Sequence, residues 1–169
     1  MLNSFIALFL ISFLSAQVEY ENDVKSVNNL LKAYYDTVSG PKEKKRDWAR
    51  LKNLFHPDAK LIYSYWTKEH KNELLQMTVD EYISKLGYTE TKGFFENELY
   101  TDIKTFSSVI HVASTYEFKL GDNSAQGKGF SSYQLLYDGN RYFIVSMFWQ
   151  MENENDKLPE EYITKQPQF

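Results

Sequence analysis

Residues 94–151 read FFENELYTDIKTFSSVIHVASTYEFKLGDNSAQGKGFSSYQLLYDGNRYFIVSMFWQM, and this stretch decides the fold. From Phe94 onward apolar and polar residues alternate with a period of two, the pattern of half-buried strands. Four strands are predicted, over Phe94 to Phe106, Val109 to Leu120, Gly129 to Tyr137 and Arg141 to Met151. Ser107-Ser108, Gly121-Asp122-Asn123 and Asp138-Gly139-Asn140 separate them, and Asp-Gly is a strong hairpin signal. The last strand is apolar on both faces, with Phe143, Val145, Met147 and Trp149 on one and Tyr142, Ile144 and Phe148 on the other. A strand buried on both sides needs cover on both sides. Helices supply one cover, and a second sheet or subunit the other.

Upstream the period is helical. Val24, Val27, Leu31, Tyr34 or Tyr35, and Val38 form an apolar stripe that Ser39-Gly40-Pro41 ends. Trp48, Leu51, Leu54 and Phe55 make a shorter helical stripe, stopped at His56-Pro57 because the residue before proline is pushed out of the α region. Ala59 to Trp66 reads as a strand, and Thr67 to Asn72 as an exposed loop carrying His70. Thr78-Val79-Asp80-Glu81 is a capping box, and Val79, Tyr82, Ile83 and Leu86 continue that third helix to Gly87. Helices first and strands after predict an α+β domain, one curved antiparallel sheet with three helices on its concave face.

The composition is that of an ordinary globular chain. Of 169 residues 43% are hydrophobic and 25% charged, with a net charge of −4, which argues against a phosphate-backbone binder. Aromatic residues reach 17%, with 13 Tyr, 12 Phe and 3 Trp, enough to build a pocket wall or an interface. The absence of cysteine excludes disulfides, thiol catalysis and Cys-based metal sites. Phe5 to Leu14, FIALFLISFL, is too short to span a bilayer, and Ser15-Ala16-Gln17 follows it. Residues 1–16 are therefore expected to be a cleaved secretory signal, and 17–169 a single exported domain, periplasmic or secreted.

The order helix, LFHPDA (Leu54 to Ala59), strand, helix and four long strands resembles the nuclear transport factor 2-like (SnoaL-like) superfamily. His111-Val112-Ala113-Ser114-Thr115-Tyr116-Glu117, the segment Tyr137 to Ser146, and Leu158-Pro159-Glu160-Glu161-Tyr162 carry the same resemblance, which covers roughly residues 21–163 and points to small exported bacterial members. It implies a cone with a pocket between sheet and helices, and a homodimer through the outer sheet face. Ala113 stands where many relatives carry Trp or Phe, so a wider or reshaped cavity is expected. The superfamily includes isomerases, dehydratases, cyclases and pure binding domains, so the fold does not settle function.

Steroid-isomerase chemistry in this superfamily places a base Asp on the first strand, but no carboxylate occupies Lys60 to Trp66. The candidate general bases are His111, chosen because histidine is the residue type whose charge can change near neutral pH, and Glu98; Glu96 and Glu98 point the same way by alternation and are candidate partners for His111. Tyr34, Trp48, Tyr63, Tyr116 and Trp149 are the candidate ligand-binding residues. His56 reads as a capping or surface residue. Three scattered histidines give no metal spacing, and no glycine-rich phosphate loop is present, so neither metal nor cofactor is expected. The leading reading is a binding module for a small apolar or amphiphilic molecule. A small lyase or isomerase using His111 or Glu98, and a non-catalytic interaction module, are the alternatives.

Overall fold

The computed structural model describes residues 20–164. The expected signal segment, residues 1–16, lies outside the described residues. A 3-10 turn, Glu21–Val24, precedes α1, Val27–Val38. Ser26 caps α1, its Oγ accepting from the Asn29 amide at 3.1 Å. Val24 therefore packs from the turn rather than from the helix, three residues before the helix begins. Leu30, Leu31, Tyr34, Tyr35 and Val38 form the buried stripe of α1.

Next comes α2, Trp48–Asn53, capped by Asp47. It ends before Phe55, and β1 runs Phe55–Trp66. The predicted helix stop at His56-Pro57 is thus corrected: these residues already belong to the strand, because Phe55 pairs with Ile144 of the last strand before a register shift to Lys60. Strand β2, Asn72–Met77, occupies a stretch not predicted as a strand, and His70 sits exposed in the β1–β2 turn at φ 57°. The capping box is formed: Thr78 Oγ1 accepts from the Glu81 amide at 3.3 Å, and Glu81 Oε2 accepts from the Thr78 amide at 2.8 Å. It opens α3, Val79–Leu86, and a short α4, Tyr88–Lys92, follows as a helix beyond the three expected. Gly93, at φ 74° in the left-handed region, turns the chain into β3.

Strands β3 (Phe94–Phe106), β4 (Val109–Leu120), β5 (Gln126–Tyr137) and β6 (Tyr142–Met151) match the four predicted strands to within three residues at their ends. The six-stranded sheet has the order β2-β1-β6-β5-β4-β3, antiparallel except for the β1–β6 pair. A bulge in each of two strands decides which side chains face inward. In β6 the register shifts between Gln134 and Leu135 of its partner, which skips Val145. Ile144, Met147 and Trp149 consequently share the inner face, and Phe143 and Phe148 the outer one, a correction to strict alternation. In β3 the shift falls at Leu99, so Glu96, Glu98 and Thr101 all face inward.

The helices lie on the inner, concave face, where Leu30, Leu31, Leu51, Leu54 and Leu61 are wholly buried. Outside, α5, Glu161–Thr164, lies against β3, β4 and β5, the half of the sheet that ends at the β3 edge. The Tyr162 carbonyl accepts from Thr115 Oγ1 at 2.6 Å, and its ring packs on Tyr100 and Phe130. Part of the outer cover is therefore supplied by the chain itself. Phe148, 44% exposed, remains open beyond it.

Candidate functional site

Between the helices and the inner sheet face is a cavity of about 330 Å³. Its shape follows from the alternation of the strands and the stripe of α1. β4 contributes Tyr116, β5 Ser131 and Tyr133, β6 Met147 and Trp149, β1 Tyr63, and β3 Phe94 and Glu96. Tyr34 and Tyr35 enter from α1 and Tyr82 from α3. Leu75, Lys85 and Tyr88 line the cavity and are exposed, so they mark its mouth between β2, α3 and α4.

The walls are interlocked rings. Tyr63 stacks on Trp149 at 5.5 Å, and Tyr82 meets the same indole edge-on at 5.7 Å. Phe94 stacks on Phe118 at 5.9 Å, and Tyr34 meets Tyr133 edge-on at 6.2 Å. Tyr116 lies over Gly129: a Cβ there would clash with the Tyr116 hydroxyl and meet the Gln150 carbonyl at 2.7 Å. Gly129→Ala is therefore expected to displace the Tyr116 ring and to cost about 1–3 kcal/mol of stability in a denaturant titration; an unchanged midpoint would contradict this packing.

The hydroxyls are buried and mutually bonded. Tyr34 and Tyr82 share a hydrogen bond of 2.5 Å, and Tyr35 bonds to Ser114 at 3.1 Å. Burial, reinforced for Tyr34 by Tyr82 and Glu96, pushes these phenols well above their usual range, so they stay protonated at neutral pH. Glu96 is the one carboxylate among the residues lining the cavity. Its side chain has no hydrogen-bond donor and no cation within ion-pair distance among the described residues. Burial pushes the Glu96 carboxyl up to about 8. At pH 7 Glu96 is thus mostly protonated, and the charged side chain of the lining is Lys85, exposed at the mouth.

The sequence-derived candidates separate cleanly. Tyr34, Tyr63, Tyr116 and Trp149 line the cavity. Trp48 does not; it packs against the core from α2. His111 lies on the outer sheet face, its Nε2 3.1 Å from Ser132 Oγ, in register with Lys104 and Gln134. It faces neither the cavity nor Glu96 and Glu98, which point to the other side of the sheet. Ala113 also faces outward, opposite Asp102 and Ser132, so it does not shape the cavity. Glu98 is inward but lies outside the cavity, in a shallow cleft with Lys32, Tyr35 and Asp36. Burial pushes its carboxyl up, against the hydrogen bond that Ser114 Oγ donates at 2.7 Å. His56 accepts from the Asp58 amide at 3.2 Å, a local capping contact. The sequence points to Glu96 only as a partner for His111, a pairing the sheet rules out, and does not single out Tyr82 or Tyr133 as site residues. Among the described residues no His/Cys/Asp/Glu cluster is placed to hold a metal, and no helix is long and apolar enough to cross a membrane.

A curved sheet closed by helices over an aromatic cavity defines a cone-shaped α+β pocket protein, and solved structures identify its fold. A candidate scytalone dehydratase from Novosphingobium aromaticivorans is 12% identical, with a TM-score of 0.59 over 80% of this chain and 88% of that one. An NTF2-like protein of unknown function from Pseudomonas putida is 11% identical, with a TM-score of 0.58 over 79% and 90%. A protein of unknown function with a cystatin-like fold from Nostoc punctiforme is 10% identical, with a TM-score of 0.57 over 76% and 90%. The chain has the nuclear transport factor 2-like fold. No family model and no curated protein matches it in sequence.

Proposed function

We propose that this domain binds a small apolar or amphiphilic molecule in the cavity between helices and sheet. The observation that carries the reading is the cavity itself: about 330 Å³, walled by aromatic rings, with a few polar groups at fixed positions. Pockets of this size, mostly apolar with sparse polar groups, are the usual form of small-molecule sites. The reading includes export to the periplasm or the medium, supported by the apolar segment Phe5 to Leu14. It also includes a homodimer through the part of the outer face left open by α5, where Phe148 is exposed.

Titration with the neutral dye N-phenyl-1-naphthylamine tests the reading. Its emission is expected to rise on binding and Trp149 emission to fall, with a dissociation constant on the order of 10 μM, about −7 kcal/mol. No change in either signal with folded protein would remove the proposal. A second reading, acid–base catalysis, draws on Glu96: a carboxyl near 8 beside tyrosine hydroxyls is suited to exchanging a proton with a bound substrate. His111 and Glu98 cannot fill that role from where they stand.

A further inference from the structure

We propose that the preferred occupant of the cavity is a hydrophobic organic amine bound as its ammonium, with Glu96 as its counter-ion and the surrounding rings as its cation-binding faces. The inference rests on the small-molecule reading above and names the ligand class.

Glu96 is an inward carboxyl without a partner. A carboxylate held in a mostly apolar cavity is costly unless paired, yet no side chain among the described residues supplies the pair. The charged groups on the neighbouring elements are all engaged elsewhere or distant from it. On α1, Lys32 and Asp36 bond to each other at 2.5 Å. On α3, Lys85 is exposed at the mouth, beyond ion-pair distance of Glu96. On β3 itself Glu98 bonds to Ser114. The remaining titratable groups facing Glu96 are phenols: Tyr34 and Tyr35 on α1, Tyr82 on α3, Tyr88 on α4, Tyr116 on β4 and Tyr133 on β5. These are neutral and cannot compensate a negative charge. They can instead offer π faces and hydroxyl oxygens to a cation. A neutral ligand would hydrogen-bond to the tyrosines and to the protonated carboxyl without drawing on its charge, and an anion would find no cation in the cavity lining deeper than Lys85 at the mouth. An ammonium is the chemistry that satisfies the carboxyl and the rings together.

Proton balance follows. Below about pH 8 the empty site holds Glu96 protonated, so binding R–NH₃⁺ ejects the Glu96 proton to solvent and leaves a carboxylate–ammonium pair. Amine affinity should then climb with pH, by up to about tenfold per unit below the Glu96 pKa.

The experiment is calorimetric titration of the full chain with three isosteres, 2-naphthylmethylamine, 2-naphthylmethanol and 2-naphthoic acid, near pH 6 and pH 8 and in buffers of different ionisation heat. The amine is expected to bind at least about tenfold tighter than the alcohol near pH 8, to lose affinity near pH 6, and to release close to one proton there. In Glu96→Gln the ratio of amine to alcohol affinity is expected to fall to about one. Alcohol binding equal to or tighter than amine binding, with no proton release, would overturn the proposal and leave the small-molecule reading standing. An amine preference that survives Glu96→Gln would also overturn it. Failure of all three isosteres and of the neutral dye would remove both.

Discussion

Glu96→Gln is expected to raise the stability of the domain near pH 9 by on the order of 4 kcal/mol and to leave it nearly unchanged near pH 4. Burial lifts the Glu96 carboxyl from 4.5 to about 8, and each pKa unit corresponds to about 1.4 kcal/mol. The sign follows from proton binding. Between these two values the folded state holds a proton that the unfolded state has lost, so stability falls as pH rises. The favourable contribution is fully present below 4.5, declines through the neutral range, and is gone above about 8. Glutamine keeps the neutral form at every pH and removes the decline. Thermal melts of parent and variant from about pH 4 to 9 are the check, with a separation of roughly 10 °C expected at the alkaline end. Parallel curves would mean that the Glu96 carboxyl is solvated or paired in solution.

Arg46→Met is expected to cost about 3 kcal/mol at every pH in the same range. Arg46 is 6% exposed, and among the described residues its guanidinium meets no carboxylate within ion-pair distance. Its charge is instead dispersed over backbone carbonyls. Nε donates to Val38 at 3.1 Å, Nη1 to Lys44 at 2.6 Å, and Nη2 to Gly40 at 2.7 Å and Thr89 at 3.1 Å. The planar fork thereby joins the end of α1, the 40–44 loop and α4. Methionine fills similar volume without donors and strands those carbonyls in the interior. Arg46→Lys retains the charge but cannot span the same set, so it should lose nearly as much. Urea titrations check both variants. A loss below about 1 kcal/mol for the methionine variant would show that water replaces the guanidinium. Because α4 also presents Tyr88 at the cavity mouth, the destabilised variant should bind the naphthyl dye more weakly as well.

Much of the fold was legible because its signals are local. Alternation marked the four long strands, Asp138-Gly139 marked the last hairpin, and Thr78 with Glu81 marked α3. Strand β2 was not legible: Asn72–Met77 is an edge strand exposed along nearly its whole length, so it carries no burial pattern. The end of α2 was misplaced because Pro57 breaks a helix equally well from inside a strand. The site was legible in part. Tyr34, Tyr63, Tyr116 and Trp149 are aromatic residues on inward faces, and they line the cavity. Trp48 has the same chemistry, and nothing local separates a core ring from a cavity ring.

What the sequence alone determined is the element types, their order and the surplus of aromatic side chains, since these depend on neighbours a few residues apart. Which side of the sheet each chemical group serves depends on long-range strand pairing. The bulge that skips Val145 and the one at Leu99 set the inner face. Cross-strand register sends His111 outward to Ser132 and brings Glu96 in among the tyrosines. A carboxylate acquires unusual chemistry when distant chain segments exclude water from it and supply no partner, and that condition is met across β3, β4, β5, α1 and α3 together rather than within any one stretch.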